Sequence, residues 1–304
     1  MHDSLKTQAG SDTMSLPEIL ATVFPEQNFK SAHFLGEGMD SLAYLVDGAY
    51  VFRFPKREEV AQNLAKEIAL LPHLQHLPLR VPDFQFVGQH PENGLPFVGY
   101  PLLKGVEWQE SHFLSQPPKN QTKALGLLGR FLMELHRFDV DTALQLGIEI
   151  SETYQDYIKD YEEIQAKLFP FSSPLLRDLI NQRFTAFLAN PKHFQYTNCL
   201  IHDDFSSNHI LCDPETGMPQ SVIDFGDVPV GDPDLDLKYL YAELGRSFIE
   251  RLLAEGHYKT PTDPEVLLEK LDFFNFCEAF QDVLHEHEDD PEQAAITLQA
   301  VLLS

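Results

Sequence analysis

Alternation of apolar and polar positions with period two marks the first hundred residues as mainly strand. Three short runs occupy Phe34–Phe54: one before Gly36, one at Leu42–Val46 and one at Tyr50–Phe54. Asp47-Gly48 separates the last two, a dipeptide that favours a tight hairpin turn. Ser15–Phe24 reads as a short helix, with Ser15 as N-cap and Pro17 in its first turn. Glu58–Leu77 has helical spacing, and Val81–Gly88 and Pro96–Leu103 read as strands around the turn-rich His90–Gly94. From Trp108 the period changes to 3.6. Gln121–Phe138 places Leu125, Leu128, Leu132 and Leu135 on one face. Helices follow at about 151–168 and 174–189, their aromatics Tyr154, Tyr157, Tyr161, Phe184 and Phe187 reading as core. A β-rich island, Cys199–Phe225, interrupts the helices around the polar loop Asp203–Asn208. The pattern predicts an α+β chain: a sheet with one long helix first, a larger helical part afterwards.

The length, 304 residues, accommodates two lobes. The change of pattern puts their boundary near 103, giving 1–103 and 104–304, with 1–14 as a flexible polar tail. Charge narrows the partners. Lys+Arg 22 against Asp+Glu 47 leaves 22 − 47 = −25. That rules out nucleic-acid binding through bulk charge, argues against docking on anionic lipid, and favours either cationic partners or simply a soluble, self-repelling surface. No apolar run reaches the roughly 18 residues a membrane span needs, and the N-terminus has no apolar h-region, so a cytoplasmic location is expected. Cys199, Cys212 and Cys277 are odd in number and widely spaced, with no CxxC, which argues against a disulfide framework or zinc site. The acidic run 286–290 before Pro291 reads as a solvated turn.

The island carries the chemistry. His202-Asp203-Asp204-Phe205-Ser206-Ser207-Asn208-His209 resembles a kinase catalytic loop, H-x-D-x-x-x-x-N, with His209 where the template has asparagine, and Ile223-Asp224-Phe225-Gly226-Asp227 contains a literal D-F-G. The carboxylates are 224 − 204 = 20 residues apart, room for a strand–turn–strand that returns both to one cleft. In this template Asp204 accepts the proton of an attacking hydroxyl, while the residue five further on and Asp224 hold magnesium. A hard divalent cation favours oxygen donors, which points to Asn208; register points to His209. His202 reads as a buttress of the loop. Asp232 and Asp236, flanking Pro233, read as helix-capping carboxylates.

These motifs, with Gly36-Glu37-Gly38-Met39-Asp40-Ser41, Val51-Phe52-Arg53-Phe54-Pro55-Lys56, Glu67 and Lys104-Gly105-Val106, resemble the aminoglycoside phosphotransferase family of the protein-kinase-like superfamily. They look closest to the 2''-phosphotransferases. The resemblance covers about residues 30–250 in consistent order. It implies a bilobal kinase-like fold, and ATP or GTP with Mg²⁺ as the donor for phosphorylation of an aminoglycoside hydroxyl. It further implies Gly36, Gly38 and Ser41 over the phosphates, and a base-reading hinge near Pro101 and Leu103. Arg53 stands where kinases carry lysine and can pair with phosphate and Glu67, with Lys56 as the other candidate. By the same resemblance His209 and Asp224 would hold the metal and Asp227 would contact the acceptor, whose ring Ser206 could also hydrogen-bond. The expected state is a monomer. The alternatives are a kinase of another small cationic or sugar-like metabolite, choline-like or homoserine-like, and a nucleotide-binding pseudokinase.

Overall fold

The computed structural model describes residues 14–151, 153–287 and 289–303. The tail expected at 1–14 therefore lies outside the described residues, Met14 excepted. The chain divides into two compact units.

The first unit runs to Pro72 and takes in Pro82–Leu102. Its elements are α1 (Leu16–Val23), β1 (Ala32–Glu37), β2 (Ser41–Val46), β3 (Tyr50–Pro55), α2 (Glu58–Leu74), β4 (Phe86–Gln89) and β5 (Pro96–Pro101). The strands form one antiparallel sheet in the order β1-β2-β3-β5-β4. Asp47 and Gly48 turn the β2–β3 hairpin with φ of 53° and 63°, the left-handed pair such a turn needs. The alternation along β3 then sorts side chains by face. Phe52 and Phe54 join Val46, Phe97 and the α1 residues Ile19 and Leu20 in one buried cluster. Arg53 points the other way and meets Glu67 of α2. Two elements are shorter than the sequence pattern predicts. Helix α2 stops at Leu74, with Pro72 in its last turn. Of Val81–Gly88 only the end is strand, because Pro82 has no N–H to donate.

The second unit comprises His73–Val81 and the described chain from Leu103 onward. Its elements are β6 (Val106–Glu107), α3 (Glu110–Ser115), α4 (Pro118–Leu135), α5 (Val140–Gln145), α6 (Tyr154–Lys167), α7 (Pro174–Ala189), β7 (Cys199–Leu200), β8 (Ile210–Cys212), β9 (Pro219–Val222), β10 (Val230–Gly231), α8 (Lys238–Glu255), α9 (Pro264–Glu286) and α10 (Pro291–Leu302). The leucine face of α4 is buried as its spacing predicts. Gly129 of α4 lies so close to the end of α8 that a Cβ there would sit 2.0 Å from the Gly256 carbonyl oxygen. Within α8, Gly245 breaks the helix with φ 76°, a conformation that suits glycine. Tyr157, Phe184 and Phe187 are buried, and Phe187 stacks on Phe273 at 3.7 Å; Tyr154 of the same aromatic set is exposed. Asp290 caps α10 by accepting the Gln293 N–H at 3.0 Å, so the acidic run is part cap; Glu288 lies outside the described residues. Among the described residues no helix is long and apolar enough to cross a membrane.

Candidate active site

The catalytic-loop motif sits between two small sheets of the second unit. On one side β7 pairs with β10, Leu200 opposite Val230. On the other, β8 and β9 form a hairpin with Ile210 opposite Val222. The hairpin accounts for the spacing of the carboxylates: it leaves the loop at His209 and returns at Asp224. The Ile223 N–H donates to the His209 carbonyl at 3.0 Å and closes the junction. Phe205 is buried and stacks on Phe131 of α4 at 5.6 Å, and Phe225 is buried edge-on to His202 at 4.7 Å. These apolar anchors fix the backbone on either side of the polar residues.

Asp204, His209 and Asp224 come together. His209 Nδ1 faces the Asp204 carbonyl oxygen at 3.0 Å, the Ser206 hydroxyl at 3.2 Å and Asp204 Oδ2 at 3.3 Å. Its Nε2 faces Asp224 Oδ2 at 3.7 Å. Asp204 and Asp224 are about half exposed, 45% and 50%. Burial opposes a charge on His209, but hydrogen bonds to Asp204 and the charges of Asp204 and Asp224 outweigh it and hold the imidazole up at about 9. Burial would raise Asp204 in turn. The hydrogen bond and charge of His209 overcome it and keep the carboxyl below its ordinary range, so Asp204 is ionised at neutral pH. Asn208 is exposed, and it is the ring of His209 that reaches both carboxylates. Ser206, expected to touch the acceptor, is buried, and its hydroxyl lies against His209 instead. Asp227 is exposed two residues beyond Phe225.

The loop is held from behind by a residue whose spacing suggests only a cap. Asp232 does cap, accepting the Asp234 N–H at 3.1 Å. Asp236 turns back instead. Its Oδ1 accepts the backbone N–H groups of His202 at 2.9 Å and Asp203 at 2.7 Å, and its Oδ2 faces His136 Nε2 at 2.8 Å. The clamp bears on the strained backbone at Asp203, whose φ of 64° is a left-handed value that side-chain-bearing residues seldom adopt; Asp224 also has φ 68°. His202 is buried as a buttress, its Nε2–H donating to the Ile223 carbonyl at 3.1 Å. Beside the loop, Glu243 accepts the Ser207 N–H at 2.9 Å, and Lys238 pairs with Asp203 at 3.1 Å and Glu278 at 3.2 Å. A signal for Asp236 was available in the dense Asp232-Pro233-Asp234-Leu235-Asp236 run, but spacing alone does not say which carboxylate turns inward.

The first unit presents the remaining residues. Arg53 and Glu67 form a two-point pair, Nη1 to Oε1 at 3.1 Å and Nη2 to Oε2 at 3.0 Å, with Glu67 fully buried. Lys56 does not join them. It closes the turn between β1 and β2, donating to the Gly38 carbonyl at 2.7 Å and pairing with Glu37 at 2.5 Å. The Gly38 N–H donates to the Ser41 carbonyl at 3.0 Å, so Gly36–Ser41 is a tight, hydrogen-bonded tip. Pro101 ends β5 opposite Tyr50, and the Leu102 N–H donates to the Ala49 carbonyl at 2.8 Å. Leu103 begins the next stretch of the second unit.

Among the described residues no group of three or more His, Cys, Asp or Glu side chains is arranged to hold a metal ion by itself. A magnesium ion bound with nucleotide does not need one, since it keeps waters and phosphate oxygens among its ligands. The pair present fits that requirement once the cation displaces the proton from Nε2, since the ring is an imidazolium at neutral pH without it. Nδ1 of His209 is engaged by the loop, which fixes the ring and directs Nε2 at the half-exposed carboxylate of Asp224.

A family model described as the phosphotransferase enzyme family matches residues 31–269. The structure of the GDP and kanamycin complex of APH(2")-IIia is 30% identical, with a TM-score of 0.82 over 93% of this chain and 96% of that one. The GDP complex of wild-type aminoglycoside 2'-phosphotransferase-IIIa is 29% identical, with a TM-score of 0.83 over 93% and 95%. Both support the bilobal kinase-like fold. A viomycin phosphotransferase of Streptomyces vinaceus is 30% identical over 95 residues, 31% of this chain and 32% of that relative's length. On the extent of the family match, the chain belongs to the phosphotransferase enzyme family.

Proposed function

We propose that the protein transfers the γ-phosphate of ATP or GTP to a hydroxyl of an aminoglycoside. The observation that carries this reading is the meeting of Asp204, His209 and Asp224 at 3.3 and 3.7 Å. The relatives with GDP and kanamycin bound support both ligand classes. Asp204, ionised and half exposed, accepts the proton of the acceptor hydroxyl and orients its oxygen for attack. His209 Nε2 and Asp224 would hold Mg²⁺, which when bound neutralises charge on the phosphates. Ser206 keeps the His209 ring in register, and Asp227 is a carboxylate available to an acceptor ammonium. In the first unit, Gly36, Gly38 and Ser41 would cover the phosphates, and Arg53, held by Glu67, would pair with them. Pro101 and Leu103 would border the base, which backbone groups read, so both purine triphosphates remain donors to test.

Coupled detection of ADP and GDP release across an acceptor panel tests the reading. It predicts release that depends on Mg²⁺ and on an aminoglycoside. Release driven by choline-like or homoserine-like acceptors and not by aminoglycosides would replace the acceptor. No acceptor-stimulated release with either triphosphate would overturn the phosphotransferase reading.

A further inference from the structure

Next to Asp204 the chain places a cation of its own among acidic groups. Lys238 opens α8, and its ammonium lies 3.1 Å from Asp203 Oδ1 and 3.2 Å from Glu278 Oε1 on α9. It also sits 4.9 Å from the centre of the Tyr239 ring, and the Tyr239 hydroxyl donates to Glu278 Oε2 at 3.0 Å. The cluster is tucked in but not sealed: 12% of the Lys238 side chain, 24% of Asp203 and 18% of Glu278 remain exposed. Burial opposes the ammonium, yet the two carboxylates outweigh it and push Lys238 above its ordinary range, so it stays charged. Two carboxylates and one ammonium leave this patch a single net negative charge.

An acceptor that presents several ammonium groups gains most from carboxylates without a partner. Each carboxylate already matched by an internal cation gives it much less, because the ligand must compete with an ion pair assembled before it arrives. In a chain of net charge −25, a lysine between two acidic groups, one of them the residue before the reacting carboxylate, is a local reversal of the general trend. We infer that Lys238 is a specificity-determining residue, an internal counter-ion that occupies Asp203 and Glu278 and turns the acceptor side toward substrates carrying few ammonium groups near the phosphorylated hydroxyl. This inference rests on the aminoglycoside reading above. Lys238 needs no contact with the reacting atoms to act in this way. It sets how many cationic groups the acceptor can place beside Asp204.

The test compares kanamycin with derivatives N-acetylated at one or more amines, in the wild type, Lys238→Met, Glu278→Gln and the double variant. Freeing two carboxylates lowers KM for kanamycin by roughly fivefold, the upper range for a partly exposed ion pair, with kcat within about twofold. The gain shrinks stepwise as amines are acetylated. Glu278→Gln, which leaves Lys238 less matched, moves the preference the opposite way, toward acetylated acceptors. The double variant loses one charge of each sign and returns within about twofold of the wild-type preference. If Lys238→Met folds poorly, Glu278→Gln and the double variant carry the test alone. An unchanged ratio of KM values across the series, or a loss of kcat common to all acceptors, overturns the inference. If the wild type turns over none of these compounds, the aminoglycoside reading itself has failed. Calorimetric binding of the same series to wild type and Lys238→Met then still decides whether Lys238 sets charge preference.

Discussion

Asp236 accepts the backbone N–H of Asp203 at 2.7 Å, although the two are far apart in sequence and Asp236 lies beyond the D-F-G segment. The same oxygen takes the His202 N–H, so one carboxylate determines the path of the chain into Asp204. It is a positioning residue. Asp236→Ala leaves both N–H groups without their acceptor and lets the left-handed turn at Asp203 relax. The expected cost is about 2–6 kcal/mol of folding stability, at 1–3 for each of the two orphaned groups. Where the variant remains folded, kcat falls far more than KM changes. Urea denaturation and steady-state kinetics check the two effects separately.

Lys270 anchors the same acidic segment from α9. Its ammonium is buried at 2.6 Å from both Asp232 and Asp234, and Asp234 also accepts from Thr260 at 2.8 Å and Thr262 at 2.7 Å. Lys270→Met strands two buried carboxylates, and a loss of about 3–5 kcal/mol is expected, the range for breaking a buried pair from one side. Adding Asp234→Asn to Lys270→Met recovers part of that loss. A single-variant loss no larger than that of an exposed pair would show that water reaches the cluster.

Two glycines of α4 should respond to alanine with opposite signs. Alanine in a helix normally gains about 1 kcal/mol over glycine. At Gly126 the added carbon would meet only the edge of the His257 ring at 3.4 Å, so Gly126→Ala stabilises or is neutral. At Gly129 it would meet backbone at 2.0 Å, which cannot swing aside, so overpacking wins and Gly129→Ala destabilises by about 1–3 kcal/mol. Thermal denaturation of the pair reads the difference directly.

His202 makes stability depend on pH. Burial holds its imidazole below the ordinary 6.5, with the charge of Asp236 opposing, so the folded protein keeps it neutral. The unfolded chain takes up a proton there as pH falls through its ordinary value, and the folded chain does not. Stability from this group is therefore complete above that value and declines below it. His202→Gln cannot titrate, so it loses less stability on acidification than the wild type does. The difference between the two proteins widens as pH falls below the ordinary imidazole value. Parallel acid-side curves for the two proteins would contradict a buried, neutral His202.

How legible each part was in the sequence follows from the range of the interactions involved. The Ser15 helix start is read correctly because its signal is local: Glu18 Oε2 accepts the Ser15 N–H at 2.7 Å. The Asp47-Gly48 hairpin and the leucine face of α4 are equally local. The catalytic loop is legible because Asp204, His209 and Asp224 are brought together by a single hairpin. The stretch after Val81 misleads, because its apolar residues imitate a strand while Pro82 interrupts the ladder. There Arg80 pairs elsewhere, its N–H donating to the Gln220 carbonyl at 2.9 Å. Very short elements such as α3 and α5 offer too few residues for a period to emerge. The clamps by Asp236, His136 and Lys270 cannot be assigned from the sequence for a different reason. Each joins segments distant in sequence, and the residue types fit capping or surface roles equally well until the fold chooses.

The central claim is that Asp204 handles the acceptor proton and does not hold the nucleotide. Asp204→Asn keeps the size of the side chain and an oxygen near His209 but removes the base. The decisive measurement pairs its kcat with its nucleotide Kd in the presence of Mg²⁺. Turnover should fall at least about a hundredfold, the lower range for loss of a general base, while Kd stays within about twofold of the wild type. Unchanged turnover, or a kcat loss matched by an equal loss of nucleotide affinity, would contradict it.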